Sequence, residues 1–147
     1  MTQRHPVQNE VLMLVTTNTF YGKKFFENAA YATEAIEHLY RVQQLYPFFI
    51  HGFVIMPDHC HFLFTVPAGG SISKIMRAYK MGLAFQLGIS KLWQPRFHIR
   101  EIRNSTEALK YILLNPVRKN LSEMPEEYPW SSAANHWDLE PLEIPWE

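Results

Sequence analysis

The sharpest chemical pattern in this 147-residue chain is His59-Cys60-His61. Side chains alternate across a strand, so His59 and His61 share one face and Cys60 points to the other. Two neighbouring imidazoles on a sheet can hold a divalent cation, or can be half-buried histidines satisfied by hydrogen bonds. The second pattern is Tyr111 with Asn115. On a helix their i, i+4 spacing puts them on one face, a turn apart. The Asn115 carboxamide oxygen could complete a two-histidine, one-oxygen site, leaving positions for a phosphate oxygen and water. The phenol would then lie beside that phosphate. The plainer reading is that Tyr111 packs on the core and Asn115 caps the helix before Pro116. Tyr79 is a rival phenol, but Leu83 stands where its partner Asn would be needed. His5, His38, His51, His98 and His136 have no comparable spacing and receive no role.

The surrounding pattern says which elements must position these groups. Residues 11–19, rich in β-branched and apolar side chains, read as a strand. Residues 27–46 place Ala32, Ile36, Leu39 and Val42 at helical spacing, and Pro47 ends that helix. Phe48 to Met56 and His59 to Val66 read as a hairpin about Pro57-Asp58. Ser71 caps a helix over 72–87, Trp93-Gln94-Pro95 reads as a loop, and a short strand is expected at Phe97–Ile102. Asn104 or Ser105 caps a third helix running to Asn115, because Pro116 disfavours helical geometry in the residue before it. The order β-α-β-β-α-β plus a helix predicts an α+β, ferredoxin-like (split β-α-β) antiparallel sheet with two helices on one face. The extra C-terminal helix would carry the nucleophile. RNA-recognition domains share this layout, so the fold alone does not choose between binder and enzyme.

Composition narrows the setting. The lone Cys60 excludes an intramolecular disulfide framework and a Cys-rich zinc site. No stretch reaches the length of a membrane span and residues 1–10 lack a signal-peptide core, so a cytoplasmic protein is expected. Net charge is zero but unevenly spread. Residues 71–120 hold ten Lys/Arg against Glu101 and Glu107, whereas residues 121–147 hold seven acids and no Lys or Arg. The expected organisation is a catalytic domain over 1–120 and an acidic, proline-containing tail over 121–147. That tail could lie over the basic block and compete with phosphates, or Pro125, Tyr128, Pro129 and Trp130 could pack it down as structure.

Residues 56–64, MPDHCHFLF, resemble the His-hydrophobe-His segment of the HUH single-strand endonucleases. WQPRFHIREI, YILLNPVRKNL and EEYPWSS resemble REP-associated tyrosine transposases, relatives of the small insertion-sequence transposases. The likeness runs from about Phe53 to Ser132, with four motifs in the family's order. It implies His59, His61 and Asn115 as metal ligands, Tyr111 as nucleophile, and Mg²⁺ or Mn²⁺ as cofactor. It further implies single-stranded or hairpin DNA as partner, a covalent 5′-phosphotyrosine intermediate, and action as a monomer or a homodimer. Cys60 replaces the usual aliphatic residue and should behave as a small hydrophobe. For DNA contact, Lys74, Arg77 and Lys80 form an i, i+3, i+6 stripe on the second helix. Arg96, Arg100 and Arg103 flank the last strand, and Arg118 follows the third helix. Trp93, Phe97 and Tyr79 are expected either to stack on bases or to pack in the core. Two other functions fit the same residues: a non-catalytic single-strand binding module, and a metal-dependent hydrolase of another substrate.

Overall fold

The computed structural model describes residues 12–134 and 137–142; Val11, His5, His136, Glu143 and Glu147 lie outside this range. Its strands are β1 (Leu12–Thr19), β2 (Phe49–Met56), β3 (His59–Thr65) and β4 (Trp93–Glu101). They form one sheet in the order β2-β3-β1-β4, every neighbouring pair antiparallel. This is the expected ferredoxin-like arrangement. Helices α1 (Ala29–Leu45) and α2 (Ile72–Leu87) cover one face. Ser71 caps α2 as expected, its Oγ accepting from Lys74 N, and Asn28 caps α1, its Oδ1 accepting from the Ala30 and Tyr31 amides. Gly88, at φ 69°, ends α2 in a left-handed turn. No helix among the described residues is long and apolar enough to cross a membrane.

Both faces of the sheet are covered, and this decides where the chemistry lies. Val15, Phe53, Ile55, Cys60, Phe62 and Phe64 point toward α1 and α2 and form the main core. Leu14, Val54, Met56 and Leu63 point the other way. There they meet Ala108 and Ile112 of α3 (Ser105–Leu113). Alternation along β3 therefore turns His59 and His61 to the face that α3 covers, while Cys60 is fully buried beneath the other two helices. Burial pushes the Cys60 thiol pKa well up, which leaves it the inert small hydrophobe expected.

Two expectations about the elements are corrected, and the two open readings of the tail are separated. The last strand begins at Trp93, not Phe97, and runs through Pro95. Proline is tolerated there because β4 is an edge strand. The third helix stops at Leu113, and Asn115 opens a separate turn, α4 (Asn115–Arg118), with Pro116 inside it. The helix changes course at Leu114 and resumes, as the missing proline N–H demands. The described part of the acidic tail lies along the free edge of β2, not over the basic residues of β4 at the opposite edge. Ile55 N donates to Trp130 O, Glu140 N to Ile50 O, and the Tyr128 hydroxyl to Ile55 O at 2.7 Å. Ser132 Oγ holds both Phe53 N and Phe53 O. Such a strap satisfies backbone groups that an edge strand would leave open.

Gly82 of α2 leaves room for the His38 ring of α1: a Cβ there would lie 2.3 Å from Nε2 of His38. Gly82→Ala should cost about 1–3 kcal/mol of overpacking, partly offset by about 1 kcal/mol of helix propensity. Urea unfolding should therefore show a net loss on the order of 1–2 kcal/mol. A rise in stability would mean that the helices separate freely.

Candidate active site

His59 and His61 sit edge to face with ring centroids 4.8 Å apart. Each has its Nδ1 engaged by a neighbour. Asp58 Oδ1 accepts from His59 Nδ1 at 2.7 Å, and Thr16 Oγ1 bonds His61 Nδ1 at 2.8 Å. Thr16 reaches His61 because β1 and β3 pair in that register. Engagement at Nδ1 fixes each ring and leaves Nε2 as the nitrogen that could ligate a metal. Burial first, then the His59, Arg118 and Arg100 charges, lower the His61 pKa to about 4. His61 is therefore neutral near pH 7, as a ligand must be.

The helix elements bring up the rest. Asn115 is 5% exposed and its Nδ2 lies 3.5 Å from His59 Nε2. Amide O and N exchange by rotation about χ2, so the same side chain can present Oδ1. Tyr111 is 46% exposed, with its ring 6.1 Å from that of His61. The Arg118 guanidinium stands over the Tyr111 ring at 4.4 Å and donates from Nη2 to Tyr111 O at 2.6 Å. It thus holds the end of the helix that carries the phenol. Tyr111, His61, Arg100 and His98 line a cleft of about 220 Å³. A second cleft, of about 350 Å³, shares Tyr111 and Arg100 and continues past Arg103.

Among the described residues no three His, Cys, Asp or Glu side chains gather around one point. A cation here would be held by the two Nε2 atoms and the Asn115 oxygen. The donors fit: the His59 and His61 rings are adjacent with their Nδ1 atoms engaged elsewhere, His61 is neutral, and the Asn115 amide adjoins His59 Nε2. Three such donors would leave positions for water on a six-coordinate cation and would not close the four-ligand shell of structural zinc.

The sequence-derived residues therefore separate into two groups. His59, His61, Asn115, Tyr111, Arg100 and Arg118 meet in one place, and Arg103 borders the adjoining cleft. Arg96 shares the β4 face of His98 and Arg100 by alternation. Lys74, Arg77 and Lys80 belong to α2, on the opposite side of the sheet. Lys80 Nζ donates to Gln94 O at 2.7 Å and Arg96 O at 3.3 Å, so it closes the edge of β4. Tyr79 is fully buried with its hydroxyl on Ala35 O, which removes it both as a nucleophile and as a stacking surface. Trp93 packs against Phe26 and Tyr79 and donates to Lys80 O, a core role. Phe97 borders Arg77 and Lys80 on the α2 side. Sequence reasoning passed over Asp58, Thr16 and His98. Asp58 is legible as the residue before His59, and the His98-x-Arg100 alternation carried a usable signal. Thr16 required the strand register. His51, at the far end of the sheet, has both ring nitrogens engaged, by Glu140 O and Thr65 Oγ1.

The His61 shift has a consequence for stability. Its pKa is 6.5 in the unfolded chain and about 4 when folded, so between these values the unfolded chain binds more protons. Stability should therefore fall as pH drops from about 6.5 to 4, by on the order of 2–3 kcal/mol. Burial lowers the His38 pKa too, which acts in the same direction. Denaturant midpoints of metal-free protein measured across this range check it, and a shallower slope in His61→Gln than in wild type would assign the difference to His61, with the remainder left to His38.

Residues 10–113 match the family model described as Transposase IS200 like, and the chain belongs to that IS200-like transposase family. It is 31% identical over 96 residues to the REP-associated tyrosine transposase of Escherichia coli K12. That match covers 63% of this chain and 58% of the relative, so the chain spans little more than half of that protein's length. A solved REP-associated tyrosine transposase, bound to a REP hairpin, is similar with a TM-score of 0.76 at 25% identity, over 90% of this chain and 82% of that one. A Deinococcus radiodurans structure, 15% identical with a TM-score of 0.57 over 76% of this chain and 93% of that one, shares the fold.

Proposed function

We propose that this chain nicks and rejoins single-stranded DNA beside a hairpin, through a covalent bond between Tyr111 and a 5′-phosphate. The observation that carries this is the half-exposed Tyr111 ring 6.1 Å from His61, on the wall of a cleft that Arg100 also lines. A scissile phosphate in that cleft meets the Arg100 guanidinium, which offsets charge on the non-bridging oxygens. His59, His61 and Asn115 would hold Mg²⁺ or Mn²⁺, which supplies Lewis-acid polarisation of the phosphate; the imidazole donors favour Mn²⁺.

Tyr111 Oη loses its proton to solvent and attacks phosphorus in line. The P–O3′ bond breaks, and the leaving 3′ oxygen takes up a proton. The products are a 5′-phosphotyrosine and a free 3′-hydroxyl. Attack by a 3′-hydroxyl reverses the step and restores the phenol, so joining needs no external energy source. Tyr111 and the histidines come from one chain, which supports action as a monomer with no partner needed to complete the site. A DNA substrate and the buried reduced Cys60 suit a cytoplasmic setting.

The test is incubation with a labelled hairpin bearing single-stranded flanks and Mn²⁺. A denaturant-resistant protein–DNA adduct is expected, absent in chelator. Binding without adduct would make the chain a single-strand binding module. Cleavage without adduct would make it a hydrolase that does not use Tyr111.

A further inference from the structure

The segment joining β1 to α1 has no part in the mechanism above, yet it is fixed at the rim of the site. Asn18, near the end of β1, pairs in register with His59. The next residue, Thr19, donates from both N and Oγ1 to Asp58 O, each at 3.0 Å. The turn Phe20–Gly22 follows directly. Within it Tyr21 adopts φ 53° and ψ 27°, a left-handed conformation that a bulky side chain rarely takes and that costs free energy. Its ring is 82% exposed, so burial does not hold it there. The ring packs edge to face on Phe20, with centroids 4.4 Å apart, and Lys91 Nζ stands 5.6 Å from the centre of the Phe20 ring. Lys23 and Lys24 follow, both exposed. Glu27 follows beyond the two lysines, and Asp58, whose backbone oxygen holds Thr19, has its carboxylate bonded to His59.

We infer that Tyr21 is a base-stacking platform for the single strand flanking the cleaved phosphate, with Lys23, Lys24 and Lys91 countering its backbone charge. The inference rests on the single-strand DNA reading above and extends it to the far end of the track. The Arg100–Arg103 cleft lies toward the start of β1, and Tyr21 lies beyond its end. A strand held along that line passes Tyr111 and His61 between the two. Aromatic faces stack on any base, and exposed lysines hold phosphates without reading sequence. Tyr21 therefore sets affinity and strand placement, not base identity.

The test compares two labelled hairpins by fluorescence anisotropy at low salt, one with single-stranded flanks and one blunt. Tyr21→Ala and Tyr21→Gly should bind the flanked hairpin about tenfold more weakly, within the range of a lost base–aromatic stack, and the blunt one as wild type does. Tyr21→Trp should retain binding. Glycine adopts a positive φ freely, so weak binding by Tyr21→Gly is not a folding defect. 2-Aminopurine placed in the flank should be quenched by wild type and not by Tyr21→Gly. Equal affinity of wild type and both truncations for the flanked hairpin, in protein that still forms the Tyr111 adduct, overturns the platform and leaves the nicking reading intact. Wild type that neither prefers the flanked hairpin nor forms an adduct overturns both.

Discussion

Tyr111→Phe should abolish the protein–DNA adduct, with a fall in cleavage of at least about three powers of ten, the scale of losing a nucleophile that no other group replaces. The substitution removes one oxygen and little else. Tyr111 is 46% exposed; its ring meets the His61 ring and lies under the Arg118 guanidinium, which also donates to the Tyr111 backbone oxygen. Phenylalanine keeps the ring, so folding and DNA affinity should stay near wild type. Tyr79→Phe is the matched control. It removes a buried hydroxyl bonded to Ala35 O, costing about 1 kcal/mol of stability while leaving adduct formation in place. Adduct from Tyr111→Phe together with none from folded Tyr79→Phe would reverse the assignment.

Replacing either histidine should lower metal-dependent cleavage by several powers of ten, because charge stabilisation at a phosphoryl transition state is worth several kcal/mol. His59→Ala leaves the Asp58 carboxylate without its imidazole partner, and His61→Ala does the same to the Thr16 hydroxyl. Asn115→Ala should cost less, since water can replace one neutral oxygen donor. Asp58→Asn should fall between wild type and His59→Ala, by roughly 10–100-fold, the usual cost of losing the group that orients a ligating imidazole. Mn²⁺ titrations of cleavage rate, on variants checked for folding by circular dichroism, rank the series. Full cleavage by the double histidine variant in chelator would remove the metal from the proposal.

Much of the site was legible because periodicity is a property of the local backbone. The face shared by His59 and His61, and the burial of Cys60 on the other, follow from the strand's two-residue repeat. The same reasoning brought Tyr111 and Asn115 to one side, where they meet His61 and His59. It missed only the break between them, since regular helix ends at Leu113 and a separate turn opens at Asn115 before Pro116. Proline also misled at β4. Pro95 was read as loop chemistry, but the last strand lies at an edge, where a missing donor costs nothing. Charge counting found the basic block but not its division between the two faces of the sheet. Lys80, counted for phosphate, is taken up by the carbonyls of Gln94 and Arg96.

Sequence alone determined the order of elements, the helix caps at Ser71 and Asn104, and the direction in which each strand residue points. These depend on backbone geometry within a few residues. Tertiary structure decided which residues meet. Thr16 on His61, Arg100 opposite Tyr111, Arg118 over its ring, and the tail along β2 join positions up to 90 residues apart, as between Ile50 and Glu140. Such meetings depend on strand register and on which helix covers which face. Both are set by burying the two sides of the sheet at once, a condition on the whole chain that no local window contains.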